Sequence, residues 1–289
     1  MVEKRERLSS GEILKKWIRE ANYEVLPTEK ALSLVDLIPA TNSVSVTCRP
    51  TGIEETLGFI ERLGYEKMKR VWPHVAARRI QSESYFDEVA MRIINSGAEK
   101  VFVVGGDGMA TNENFTKAED VLRGFHKRGV SFEKVRVGGY PEGNPVIKED
   151  PIEILLRKQW LAEELDLEME IVTQMCFDVD TLISWIQEIR ERGVYLPVEV
   201  GVVGRIKWDT FLKILGTLGI EDVFAFLKSK PKLAASLATG VITGFSPNDF
   251  LKELAEKNRA DLNIGGISIF TLGNVTSSVK CLTDLAESK

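Results

Sequence analysis

The sequence is poor in the features that would take it out of the ordinary globular class. Its three cysteines, Cys48, Cys176 and Cys281, lie far apart. No CxxC or Cys/His cluster accompanies them, so neither a zinc site nor a disulfide framework is indicated, and no metal is expected. No apolar run reaches the roughly 18 residues that a membrane span needs. The opening stretch, MVEKRERLSSGEILKKW, has no apolar centre and is not a secretory signal. From these absences a reduced, cytoplasmic setting is expected. A basic block is missing too. Lys and Arg number 38 against 43 Asp and Glu, a net charge of −5, which argues against nucleic acid or an anionic membrane as partner. There is no internal repeat, low-complexity tract or linker, and no GxGxxG follows a strand-like run.

What is present is 289 residues, 44% hydrophobic and 28% charged, enough to bury a sizeable core. Short β-branched runs alternate with longer amphipathic ones. Strands are expected over residues 23–27, 43–48, 70–75, 100–105, 134–140, 170–176, 196–203 and 266–272. Most are apolar at consecutive positions, the pattern of strands covered on both faces. Helices are expected over 51–63, 84–96, 116–128, 151–165, 179–192, 207–216, 247–258 and 276–287, with Asp178 as an N-cap and Pro151 in a first turn.

Eight strand–helix units of about 36 residues predict one α/β domain over residues 1–289, a single (β/α)8 TIM barrel. Residues 1–20 are expected to add an N-terminal helix. The stretch from 204 to 265 is too long for one crossover and is expected to hold extra helices between strands 7 and 8.

In such a barrel, function sits at the C-terminal ends of the strands. That rule selects Glu24, Thr47, His74, the Gly105-Gly106-Asp107-Gly108 turn, Tyr140 to Pro145, Thr173-Gln174 and Thr271-Leu272. Each also has a plainer explanation. Glu24, in an apolar strand, is either half of a structural ion pair or a functional acid. The glycine-rich turn is either a tight connection or a ligand loop. His74 is a core histidine or a site residue. Gln174 either braces the barrel or offers its amide to a ligand. Arg157 and Lys158 read as solvated helix charges, Met175 and Cys176 as packing residues.

Taken in order, these motifs resemble the methylenetetrahydrofolate reductase family. The carriers are YEVLP with Glu24, VSVTC with Thr47, PHVA with His74, VVGGD with Asp107, GGYPEGNP with Tyr140, IVTQMCFD with Gln174 and ISIFTL with Leu272. The resemblance runs from about residue 20 to the end, and the family fold is a (β/α)8 barrel.

The resemblance implies an oxidoreductase of folate one-carbon metabolism. It would transfer hydride at a carbon–nitrogen bond, interconverting 5,10-methylenetetrahydrofolate and 5-methyltetrahydrofolate, as a flavoprotein with FAD and with NAD(P)H as co-substrate. Glu24 matches the catalytic acid, and Asp107 the aspartate beside flavin and pterin. Gln174 and Leu272 join Glu24 in binding the folate. Thr47, His74, Gly106, Ala118 and Tyr140 match flavin contacts, and Arg157 and Lys158 a basic pair near its diphosphate.

The chain departs from the pattern in four places, one of them a helix after strand 5 that is longer than usual before Thr173-Gln174, so that the match of Arg157 and Lys158 depends on a gap. Asn144 stands where histidine is common, Gly105 where arginine is common, and Leu272-Gly273-Asn274 where the third residue is arginine. Two alternatives stay open: a flavin-free reductase using NADH directly, and a folate-binding barrel that carries methyl groups without redox chemistry. Family members of this length often self-associate, so a homo-oligomer is expected.

Overall fold

A computed structural model describes residues 8–144, 147–217 and 244–288. Eight parallel strands, β1 (Asn22–Val25), β2 (Ser43–Val46), β3 (Val71–Ala76), β4 (Lys100–Val104), β5 (Lys134–Gly139), β6 (Met169–Thr173), β7 (Val198–Val203) and β8 (Ile264–Phe270), pair in chain order and close on themselves. This is the expected (β/α)8 barrel. Closure is direct: Glu24 of β1 sits in register with Ser45 of β2 on one side and Phe270 of β8 on the other.

The helices are α1 (Ser10–Glu20), α2 (Glu29–Leu34), α3 (Glu54–Glu61), α4 (Tyr65–Met68), α5 (Glu83–Asn95), α6 (Ala118–Lys127), α7 (Pro151–Glu164), α8 (Val179–Glu191), α9 (Trp208–Thr217), α10 (Asn248–Lys257) and α11 (Val275–Glu287). Their starts follow capping chemistry. Ser9 and Glu12 form a reciprocal capping box at α1, and Asp178 accepts from the Thr181 amide at 2.8 Å. The N-terminal helix therefore begins at Ser10, not at residue 1, and residues 1–7 lie outside the described set. α1 packs on β8, α10 and α11. Of the helices expected between β7 and β8, α9 and α10 are present, and residues 218–243 lie outside the described residues. The short α2 and α4 were not anticipated; at six and four residues they carry too little periodicity to read.

The inside of the barrel is polar toward its N-terminal end. Asn22 donates to Ser268 Oγ at 2.7 Å and accepts from Ser45 Oγ at 3.1 Å. Beside them Arg136 lies over the Trp72 ring, 3.8 Å from its centroid. Arg136 pairs with Glu170 at 2.6 Å and with Glu199, and Lys134 reaches Glu170 from the rim at 2.6 Å. Arg136, Glu170, Glu199 and Trp72 are all buried and plug that end. The paired cations hold the Glu170 carboxyl low, while burial drives Glu199 up to about 8. The opposite end is where the loops gather.

Candidate active site

At the C-terminal mouth the loops enclose a cavity of about 640 Å3, a size suited to a cofactor or a drug-sized ligand. Nine of the eleven residues to which the resemblance assigns a role line it: Glu24, His74, Gly106, Asp107, Ala118, Tyr140, Arg157, Lys158 and Gln174. Thr47 and Leu272 are outside its lining. Thr47 follows β2, with its hydroxyl oxygen buried and without a partner among the described residues. Leu272 follows β8 in a left-handed conformation, φ 48°, and packs on a separate aromatic cluster that includes Trp208, Phe211 and Phe245.

Glu24 is third in β1, where the strand's alternation points it into the barrel. Its side chain is 16% exposed, and among the described residues no Lys or Arg pairs with it. Burial pushes its carboxyl up to about 8, so it keeps a proton at neutral pH. His74 on β3 stands beside it, Nε2 to Oε2 3.9 Å. Burial and then the Arg136 charge drive this imidazole down to about 3. His74 is therefore neutral, with Nε2 buried and unpartnered among the described residues, and its ring stands edge-on to Phe102 at 4.3 Å. The structural ion pair considered for Glu24 is not formed.

The turn after β4 is positioned from β3. The Arg78 amide donates to the Gly105 carbonyl at 3.0 Å, and Arg79 Nη2 donates to the Asp107 carbonyl at 2.8 Å. Gly106, at φ 84°, lies so close to β3 that a Cβ there would stand 3.1 Å from that of Ala76. The Asp107 carboxylate is left exposed at the mouth. Burial, and then the Asp107 charge, holds the Tyr140 phenol above its ordinary range.

On the far wall α7 brings Arg157 and Lys158, and α6 begins at Ala118. The view of Lys158 as a solvated charge is corrected here, while the Arg157 side chain stays part-exposed. Lys158 is buried, and its ammonium donates to the Gly138 carbonyl at 3.5 Å; burial and the neighbouring Arg157 charge lower it. Arg157 is bonded to Glu149 at 2.8 Å and approaches the buried Glu119 at 3.8 Å. Gln174 stands just past the end of β6, exposed to the cavity. Its amide nitrogen ties the backbone to the Gly139 carbonyl at 2.8 Å, while the side-chain amide has no partner among the described residues. It does not brace the barrel. The loops after β5 and β6 are tied by Glu142, which accepts from the Phe177 amide at 3.1 Å.

Sequence reasoning missed Arg78, Arg79, Glu119 and Arg136. The first two directly follow β3, so the rule of strand ends could have found them. Arg136, Glu170 and Glu199 each interrupt an apolar strand, the same signal that singled out Glu24.

Comparison with known proteins agrees with this architecture. The family model described as methylenetetrahydrofolate reductase matches residues 28–223. Methylenetetrahydrofolate reductase 2 of Saccharomyces cerevisiae is 24% identical over 173 residues, 55% of this chain and 28% of that protein. Methylenetetrahydrofolate reductase (NADH) 1 of Arabidopsis thaliana is 23% identical over 221 residues, 69% of this chain and 35% of that protein. The chain thus spans about a third of the length of these relatives. A solved structure, a putative phosphonomutase from Burkholderia cenocepacia J2315, shares the fold with a TM-score of 0.50 at 12% identity, covering 96% of this chain and 98% of that one. No helix among the described residues is long and apolar enough to cross a membrane.

Proposed function

The chain belongs to the methylenetetrahydrofolate reductase family, and we propose that it interconverts 5,10-methylenetetrahydrofolate and 5-methyltetrahydrofolate by hydride transfer, with FAD resident in the cavity and NAD(P)H as reductant. The observation that carries this is Glu24, a carboxyl that retains its proton at neutral pH on the cavity wall.

A methyl product on N5 requires the bond between the methylene carbon and N10 to break. N10 must then take a proton. Glu24 is the group able to give it: the carboxyl Oε donates to N10, the ring opens, and the N5 iminium left behind accepts the hydride. Neutral His74 alongside adds no positive charge that would pull the proton off Glu24. In the reverse direction the Glu24 carboxylate takes the proton back.

The residues present fit a flavin dinucleotide. Lys158 is a buried cation bonded to a carbonyl rather than to a carboxylate, and Arg157 has a buried Nε with no hydrogen-bond partner among the described residues. Together with the start of α6 they would hold a diphosphate, with charge-assisted bonds and the helix dipole acting together. Bound there, the flavin would supply the hydride store that NAD(P)H refills. Gly106, Ala118 and Tyr140 would shape the bed for it, and Asp107 would face its pyrimidine edge and the pterin. Gln174 would hydrogen-bond the pterin, which explains an amide left open to the cavity.

Asn144 and Gly105 also line the cavity, where the family resemblance leads one to expect histidine and arginine, and this favours a second reading in which NADH gives its hydride directly. One experiment separates the two. Protein purified without added cofactor is expected to be yellow, with flavin released on denaturation, and to oxidise NAD(P)H when methylenetetrahydrofolate is supplied. Colourless protein that still oxidises NADH with the folate would establish the flavin-free route, and absence of both activities would overturn the proposal.

A further inference from the structure

Four arginines line the cavity: Arg49, Arg78, Arg79 and Arg157. Arg49 is paired with Glu55 at 2.9 Å and Arg157 with Glu149 at 2.8 Å. Arg78 and Arg79 differ. Among the described residues their guanidinium groups bond to backbone carbonyls alone. Arg78 uses Nε toward Thr116 at 3.2 Å and Nη1 toward Gly108 at 3.0 Å, and Arg79 uses Nη2 toward Asp107 at 2.8 Å. A guanidinium has five N–H donors and is never neutral in a protein. Arg78 Nη2 and Arg79 Nε and Nη1 therefore remain uncommitted, each attached to a full positive charge.

The two side chains come from one 3-10 turn, Ala77–Arg79, directly after β3. The carbonyl bonds already fix where they point, so little freedom is left to lose when an anion arrives. Asp107, the nearest acid on that wall, gives Arg79 its carbonyl rather than its carboxylate. Across the cavity, Arg157 and Lys158 come from α7, a different element on a different wall. In an acidic chain this cavity is cationic: seven Lys and Arg line it against four Asp and Glu, and one of those four, Glu24, holds a proton.

We propose that Arg78 and Arg79 form a second anion subsite, separate from Arg157 and Lys158, for a phosphate or carboxylate group carried by a ligand of the cavity. One free donor from each guanidinium, Arg78 Nη2 and Arg79 Nε or Nη1, suits an oxyanion that takes a charge-assisted bond from each. The inference rests on the cavity being the site of dinucleotide and folate. Those ligands offer two sources of the group: a phosphate of the dinucleotide, or a carboxylate of the folate's glutamyl chain.

Matched ligands that differ by one anionic group test it. Binding of riboflavin against FMN, NADH against NADPH, and tetrahydropteroate against tetrahydrofolate is measured by calorimetry on the full chain. Wild type is compared with Arg79→Gln, Arg79→Lys and Arg78→Gln. For one pair, wild type is expected to prefer the member with the extra anion by about tenfold, the worth of one charge-assisted bond. Arg79→Gln and Arg78→Gln should erase most of that preference and Arg79→Lys should keep part of it, over and above any loss that the released turn imposes on both members alike. The pair that responds identifies the source. If both members of every pair weaken equally, the arginines serve only to brace the turn and the proposal fails. Preferences that ignore the substitutions overturn it as well. If wild type binds none of the six ligands, the functional reading fails and takes this one with it.

Discussion

Glu24 and His74 face each other at 3.9 Å across the barrel mouth, and burial drives each toward its uncharged form. Neither is an ion at neutral pH, so the pair is a proton donor beside a neutral acceptor rather than a salt bridge. The chemistry that follows depends on Glu24 being the only one of the two that changes charge in the working range.

Glu24→Gln should therefore abolish most folate turnover and spare the reduction of the cofactor by NAD(P)H. The loss expected for a missing proton donor is about 10²–10⁴-fold. Stopped-flow measurement of the two half-reactions separates them. Retention of a third or more of folate reduction would show that another group supplies the proton.

The pH profile should bend near pH 8. Below it Glu24 is protonated and methylenetetrahydrofolate reduction is favoured; above it the reductive direction declines and oxidation of methyltetrahydrofolate gains. The same shift affects stability. A carboxyl raised from its ordinary range to about 8 favours the folded state most below about pH 4.5 and progressively less as pH rises to 8. Glu24→Gln should flatten that decline, stabilising the protein at pH 9 relative to wild type by about 1–3 kcal/mol. Denaturant titrations at pH 5 and pH 9 read this directly.

Gln174→Ala should weaken folate binding by about 1 kcal/mol, the worth of a typical hydrogen bond, and leave the melting temperature unchanged. The second half follows from its side-chain amide having no partner among the described residues. A fall in melting temperature would return Gln174 to a bracing role.

Asp107→Asn bears on the redox balance. Negative charge beside the flavin pyrimidine disfavours the reduced anion, so its removal should raise the potential by tens of millivolts, where about 30 mV corresponds to about 1.4 kcal/mol for two electrons. Because Arg79 grips the Asp107 carbonyl, the turn should keep its shape in the variant. An unchanged potential would rule out the electrostatic role.

Arg136→Met tests the plug. It takes the cation from the buried Glu199 and leaves Glu170 to Lys134 alone, and breaking a buried pair typically costs about 3–5 kcal/mol. Chemical denaturation should show that loss. Replacing all three charged residues with apolar ones of similar volume should recover much of it.

The barrel was legible because each strand is a compact apolar run between strong breakers, and all eight fall close to their expected positions. Helix starts were legible where a capping side chain marks them, as at Asp178. The site was legible where one residue violates its surroundings, as Glu24 does in β1. Pairings across strands were not. Arg136, Glu170 and Glu199 lie 34 and 63 positions apart, and only barrel closure brings them together. Nor could the sequence tell that Gln174 lies one residue beyond the end of β6, which turns an apparently buried amide into one open to the cavity. Thr47 and Leu272 were selected by the same strand-end rule, yet the left-handed backbone at Leu272 packs it on the aromatic cluster and the Thr47 hydroxyl is buried outside the cavity lining.

The plug of Trp72, Arg136, Glu170 and Glu199 fills the N-terminal end of the barrel, and among the described residues the cavity that holds Glu24 lies at the opposite end, the mouth. Whatever reaches Glu24 comes in through the mouth, and its product leaves the same way. If a resident group stores the hydride, the two substrates can take turns over one spot, and double-reciprocal plots at several fixed concentrations of the second substrate should run parallel. If the hydride passes directly, both substrates must share the cavity at once, and the lines should intersect. The filled floor thus ties the order of events, which steady-state kinetics can read without any label, to the question of what the cavity holds.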